Sequence, residues 1–278
     1  MPCAMRLRVI SIAVLSFGLL VFLAACGKGE EKGGKKKAAG GSSESAAGGE
    51  EAAAPAKGGD YKELDSVPNA GSIKGTITYT GNKEPAKLNV TKDTQVCTHG
   101  GEPDGTIVVK DGKLKNAVVA ITDDIKEGKK WEIEKSVVNN KECMFDPHVQ
   151  IARQRGQVEA QNSDPLLHNT NLALVEAGGQ TKTLANMALP TQGGSQAKDL
   201  KKAGIVAVKC DVHEWMHAWI YVSKHPYAAV SGEDGTFEIS GVPPGEYNAK
   251  VWHEVLGEAD VKVKVDPGGA ATLDHAFN

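Results

Sequence analysis

Long amphipathic helical periods are missing from this chain of 278 residues, and without them a helical bundle is excluded. Basic charge is not in excess either: 32 Lys and Arg stand against 35 Asp and Glu, for a net charge of −3, so nothing points to nucleic acid as a partner. Large apolar residues are almost absent from Gly27 to Gly59, a stretch of Gly, Ala, Ser, Lys and Glu. Such a stretch cannot bury enough surface to offset its own ordering entropy, so a flexible tether is expected over 26–67. Cysteine is scarce, with five in all, so each can be assigned a place.

What is present is alternation. Ile73, Gly75, Ile77 and Tyr79 alternate with polar residues, and turn signals recur at Asp111-Gly112, Asn139-Asn140, Asp234-Gly235 and Pro243-Pro244-Gly245. The run from Ile107 to Ile121 reads as a hairpin about Asp111-Gly112. Several short strands between turns give an all-β class and favour a sandwich. Order is expected from about Ser72.

The chemistry gathers at Cys210-Asp211-Val212-His213-Glu214-Trp215-Met216, between two strand-like runs, Gly204 to Lys209 and Ala218 to Val222. A loop of this length can aim a thiolate, an imidazole and a thioether at one point. Copper cycling between Cu(I) and Cu(II) suits two imidazoles and a thiolate in a trigonal array with a weak axial thioether. The second imidazole is expected from His168, on a separate loop with Asp164-Pro165 before it and Asn169 after it. Asn169 is expected to hydrogen-bond to the residue beside Cys210, tying the two ligand loops together.

Cys-x2-His-x2-Met between strands, with an upstream His-Asn, resembles the cupredoxins over roughly Val137 to Val222, within an expected copper domain at 137–225, with a loop length similar to that of amicyanin. The resemblance implies a Greek-key β-sandwich and a single type 1 copper held by His168, Cys210, His213 and Met216. His217 and Glu214 compete with Met216 for the axial place, and His148 is a possible additional ligand. The family also implies that His213 lies near the surface as the electron port, with Trp215 and Trp219 as candidates for its apolar rim. A redox protein such as a c-type cytochrome or a dehydrogenase would dock there.

Basic residues Arg6 and Arg8, an apolar run from Val9 to Ala25 and the ending Leu23-Ala24-Ala25-Cys26 have the layout of a signal peptide, and the ending resembles a bacterial lipobox. That resemblance implies removal of 1–25, acylation of Cys26, attachment to a membrane through the N-terminal lipid, and residence in the cell envelope facing the periplasm or exterior. Cys3 is then discarded and Cys26 modified, leaving Cys97, Cys143 and Cys210. Where disulfides form, Cys97 and Cys143 are expected to pair while Cys210 stays with the metal.

Asp234-Gly235-Thr236-Phe237 and Pro244-Gly245-Glu246-Tyr247 resemble the second half of a carboxypeptidase regulatory-like domain, which implies a second small β-sandwich over 226–278. About fifty residues are too few for that, so the β segment at 68–136 is expected to share its sheets, with the copper module inserted between them or packed against them. The expected function is carriage of single electrons by an anchored blue copper protein that is not an enzyme. A copper-delivery protein and a metal-free adhesion or scaffold module are the alternatives.

Overall fold

The computed structural model describes residues 61–133 and 135–278. The signal segment 1–25, Cys26 and nearly all of the tether lie outside the described residues. The fold is all-β: among the described residues there are 21 strands and a single helical turn at Ala177–Gly179.

The strands form two sandwiches. In one, a sheet ordered Ser195–Asp199, Gln157–Asn162, Lys135–Lys141, Met144–Asp146 shares a core with a five-stranded sheet ordered Thr181–Leu189, His168–Val175, Gly204–Lys209, His217–Ser223, Val149–Arg153. Neighbours in space are often distant in sequence, as Greek-key connections require. Alternation explains the packing: Val138, Val158 and Ala160 face inward from the first sheet toward Leu172, Val206, Val208 and Ile220 of the second. Each buried Val, Leu or Ile contributes about 1.5–3 kcal/mol.

The second sandwich is assembled from both ends of the described chain. Gly71–Tyr79 pairs with Thr236–Val242, and Val118–Ile121 pairs with both Ala228–Val230 and Gly245–His253. Ala270–Thr272 and His275–Phe277 add in parallel to Gly71–Tyr79. Ile73, Ile77, Ile121, Ile239 and Val251 fill its core. A third apolar cluster, including Val118, Ala120, Val149, Trp219 and Trp252, lies between the two sandwiches.

Several expectations need correction. Order begins before Ser72, because Lys62–Glu63 pairs with Glu127–Gly128, the Tyr61 hydroxyl donates to the Lys129 carbonyl at 2.8 Å, and Arg153 Nη1 lies 2.7 Å from Glu63 Oε1. Asn139 and Asn140 belong to a strand. The turn falls at Glu142 and Cys143, both at positive φ, where the Asp164 carboxylate accepts their amide N–H groups at 2.7 and 2.8 Å. The hairpin about Asp111-Gly112 joins only Val109–Lys110 to Lys113–Leu114, and Val118–Ile121 departs into the other sheet. The 68–136 segment is not all part of the second sandwich: Val90, Val96 and Cys97 pack into the core of the first.

Candidate metal centre

His168 opens the strand His168–Val175 instead of sitting in a loop, and that strand runs beside Gly204–Lys209, which leads into Cys210. The loop from Cys210 closes on itself, with Met216 N–H donating to the His213 carbonyl at 2.9 Å and Cys210 N–H to the Met216 carbonyl at 3.3 Å. Three donor atoms therefore meet in the core. His168 Nδ1 and His213 Nδ1 are 3.0 Å apart, and each is 3.8 Å from Cys210 Sγ. A point about 2.1 Å from all three atoms satisfies these separations, which is a bonding distance for imidazole nitrogen and close to one for thiolate sulfur. The donor set fits a single soft or borderline ion.

The far nitrogen of each ring is held by a carboxylate. His168 Nε2 lies 2.8 Å from Asp164 Oδ2, and His213 Nε2 lies 2.9 Å from Asp93 Oδ2. A carboxylate can only accept, so each Nε2 carries a proton and each Nδ1 presents its lone pair inward. Burial pushes the His168 imidazole below its usual pKa, against the pull of Asp164, which keeps that lone pair available.

Asp164 is fixed in turn by Asn162, whose Oδ1 accepts its N–H at 2.9 Å and whose Nδ2 donates to the Leu166 carbonyl at 2.8 Å. Asn169 Oδ1 accepts from the Asp211 N–H at 2.7 Å and the Val212 N–H at 3.3 Å, joining the two ligand-bearing segments. Asp211 itself sits among Asn169, Asn171 and Asn186, with Asn186 Nδ2 2.7 Å away.

Of the three candidates for a fourth donor, Met216 is the one fully buried in the same apolar cluster as Cys210. Glu214 is exposed, and His217 turns toward His148 and Glu254. His148 likewise belongs to that separate group and not to the cluster at Cys210. Cys97 and Cys143 form a disulfide, and Cys210 is free and buried.

The surface position expected of His213 is overturned: its side chain is 0% exposed. The 86–104 segment brings Asp93 over its outer nitrogen, and the disulfide anchors that segment to the turn at Cys143. Trp215 lies beside the ring at 5.0 Å between centroids and donates Nε1–H to the Cys143 carbonyl at 3.1 Å. Trp219 is not part of any rim there; it packs edge-on against Trp252 at the seam between the sandwiches. The expected tie from Asn169 to Asp211, beside Cys210, is present, whereas sequence reasoning passed over Asp93, Asn171 and Asn186. Asp93 lies 120 positions from His213, and no local spacing marks it.

Fold and site define an all-β protein with a buried two-histidine, one-cysteine donor cluster. No family model and no curated protein sequence matches the chain. Among solved structures, similarity is found to the copper-containing nitrite reductase of Thermus scotoductus, at 19% identity over 34% of this chain and 24% of that one, with a TM-score of 0.27. The chain thus spans about a quarter of that enzyme's length. A purple cupredoxin from Nitrosopumilus maritimus matches at 18% identity over 32% of this chain and 99% of its own, with a TM-score of 0.27. A reduced amicyanin variant matches at 17% identity over 33% and 87%, with a TM-score of 0.26.

Proposed function

We propose that His168, Cys210 and His213 hold one copper ion of the type 1 kind, with Met216 as the axial donor, and that the protein carries single electrons between redox partners in the cell envelope. The observation that carries this is the convergence of two Nδ1 atoms and one Sγ at 3.0–3.8 Å, all buried, with each imidazole fixed through its other nitrogen. When bound, copper supplies a one-electron couple in a trigonal donor set acceptable to both of its oxidation states.

The chain's own part is to keep that set from moving. Asp164 and Asp93 fix ring orientation and tautomer, Asn169 locks the ligand loop to the neighbouring strand, and the apolar core keeps water from the donors. Little then rearranges when the charge changes. An open, exchangeable site of the delivery kind fits poorly with a thiol 2% exposed and imidazoles 0% exposed. Asp93 and its segment cover His213 and Trp215 flanks it, so with copper bound an electron would have to cross that cover or Trp215 instead of a bare imidazole edge. An N-terminal lipid on Cys26 would hold the protein at a membrane while the tether gives it reach, and a c-type cytochrome or dehydrogenase would be the kind of partner served.

Metal analysis with visible and electron-paramagnetic-resonance spectra of the purified protein tests the assignment. One copper per chain with an intense thiolate-to-copper band, absent from Cys210→Ser, is expected. Stoichiometric zinc with no such band in copper-loaded samples would overturn it.

A further inference from the structure

A second group of donors lies at the seam between the sandwiches. His148 precedes the strand Val149–Arg153, His217 opens the strand His217–Ser223, and Glu254 sits just after the strand Gly245–His253 of the other sandwich. One ligand atom from each lies within 4.8 Å of the others.

Glu254 is the informative member. Its side chain is only 4% exposed, so its charge has little water around it. The basic side chains beside it among the described residues are two imidazoles: His148 Nε2, in contact with Oε1, and His217 Nε2, 3.7 Å from Oε2. The remaining contact is the Trp219 indole N–H, which donates to Oε2 at 2.6 Å.

His217 fixes the logic further. Its Nδ1 faces the Trp215 carbonyl at 3.0 Å, and a carbonyl only accepts, so Nδ1 carries the proton. Its Nε2 is buried without a hydrogen-bond partner. In the neutral ring that atom is a lone pair aimed at a carboxylate oxygen, two electron-rich atoms with nothing between them. A cation between them resolves the conflict, and an unsatisfied buried polar atom of this sort calls for an explanation.

We propose that His148, His217 and Glu254 form a second metal site for one divalent cation of the zinc class, clipping the two sandwiches together. Two imidazoles and a carboxylate with a fourth position left over is a donor set zinc accepts. Trp219 orients the carboxylate from outside the set, as hydrogen-bonded ligating carboxylates require. The inference does not depend on copper at Cys210, since no donor is shared between the two groups.

The test uses the full chain without a histidine tag, carrying Cys210→Ala so that the first cluster lacks its thiolate, stripped with chelator and titrated with Zn²⁺. Uptake of one equivalent is expected, with a rise in thermal midpoint. That equivalent is lost in His148→Gln and again in Glu254→Gln, which retains an acceptor for Trp219. Far-UV circular dichroism of the zinc-free variants checks that each is folded, and either variant alone suffices. No uptake by the Cys210→Ala chain, or uptake unchanged in a folded variant, overturns the site. Neither result bears on a copper band in the unaltered protein.

Discussion

Replacing both Cys97 and Cys143 by alanine removes the covalent tie between the 86–104 segment and the turn beneath it. The bridge spans 46 positions, and a closed loop of that size restricts the unfolded chain by about 4 kcal/mol in the chain-entropy picture. Measured losses for native disulfides run from about 2 to 5 kcal/mol, and two buried sulfurs also leave small voids, so a loss of about 2–4 kcal/mol is expected. The double variant is preferable to either single one, which would leave a thiol free to pair with Cys210. Denaturant unfolding of the metal-free protein measures the loss. A second readout separates the segment from the whole. Asp93 reaches His213 only through this segment, so copper transfer to a chelator should accelerate in the double variant. Asp93→Asn, with the bridge intact, should accelerate it less. A stability change under about 0.5 kcal/mol together with an unchanged transfer rate would refute the role given to the bridge, and the segment's apolar contacts at Val90 and Val96 would have to hold it alone.

Met216→Gln should lower the reduction potential, because an oxygen donor favours Cu(II) where a thioether favours Cu(I); voltammetry showing no shift would remove Met216 from the donor set. Asn169→Ala leaves the Asp211 and Val212 N–H groups without their acceptor and should cost about 1–3 kcal/mol, with copper affinity down roughly 10–100-fold; equilibrium unfolding and competition with a chelator measure the two effects. His225 is 2% exposed, and burial pushes its pKa below 6.5. The native state thus keeps it neutral while the unfolded chain takes up a proton, so stability is lost as pH falls below about 6.5. His225→Gln should flatten the decline of the unfolding midpoint in that range, and an equally steep profile would exclude His225 as its source.

Much of the fold was legible because alternation and turn residues are local signals. Asp111-Gly112 makes a turn because both residues take positive φ, at 51° and 74°. Asn139-Asn140 misled because asparagine serves turns and buried polar contacts alike: Asn140 is fully buried and donates to Gln161 O and Thr170 Oγ1. At the site, His168, Cys210 and His213 could be picked out by donor type and order, since each carries its chemistry in its own side chain. The positions of Asp93 and Glu254 could not. Both are ordinary surface residue types whose meaning comes from which strand or segment the fold lays beside them. The same limit explains His148 and His217, whose chemistry was visible but whose company was not.

The strand Gly71–Tyr79 pairs with Thr236–Val242 and with His275–Phe277, both made long after it. Apart from the contact of Thr78 with Lys113, its backbone groups wait for those later strands, and until they arrive its edges must be kept from other strands. Contacts of such sequence separation are slow to form. Removing His275–Phe277 should therefore promote aggregation, with the inserted sandwich and its donors left intact but attached to a sticky, unfinished partner.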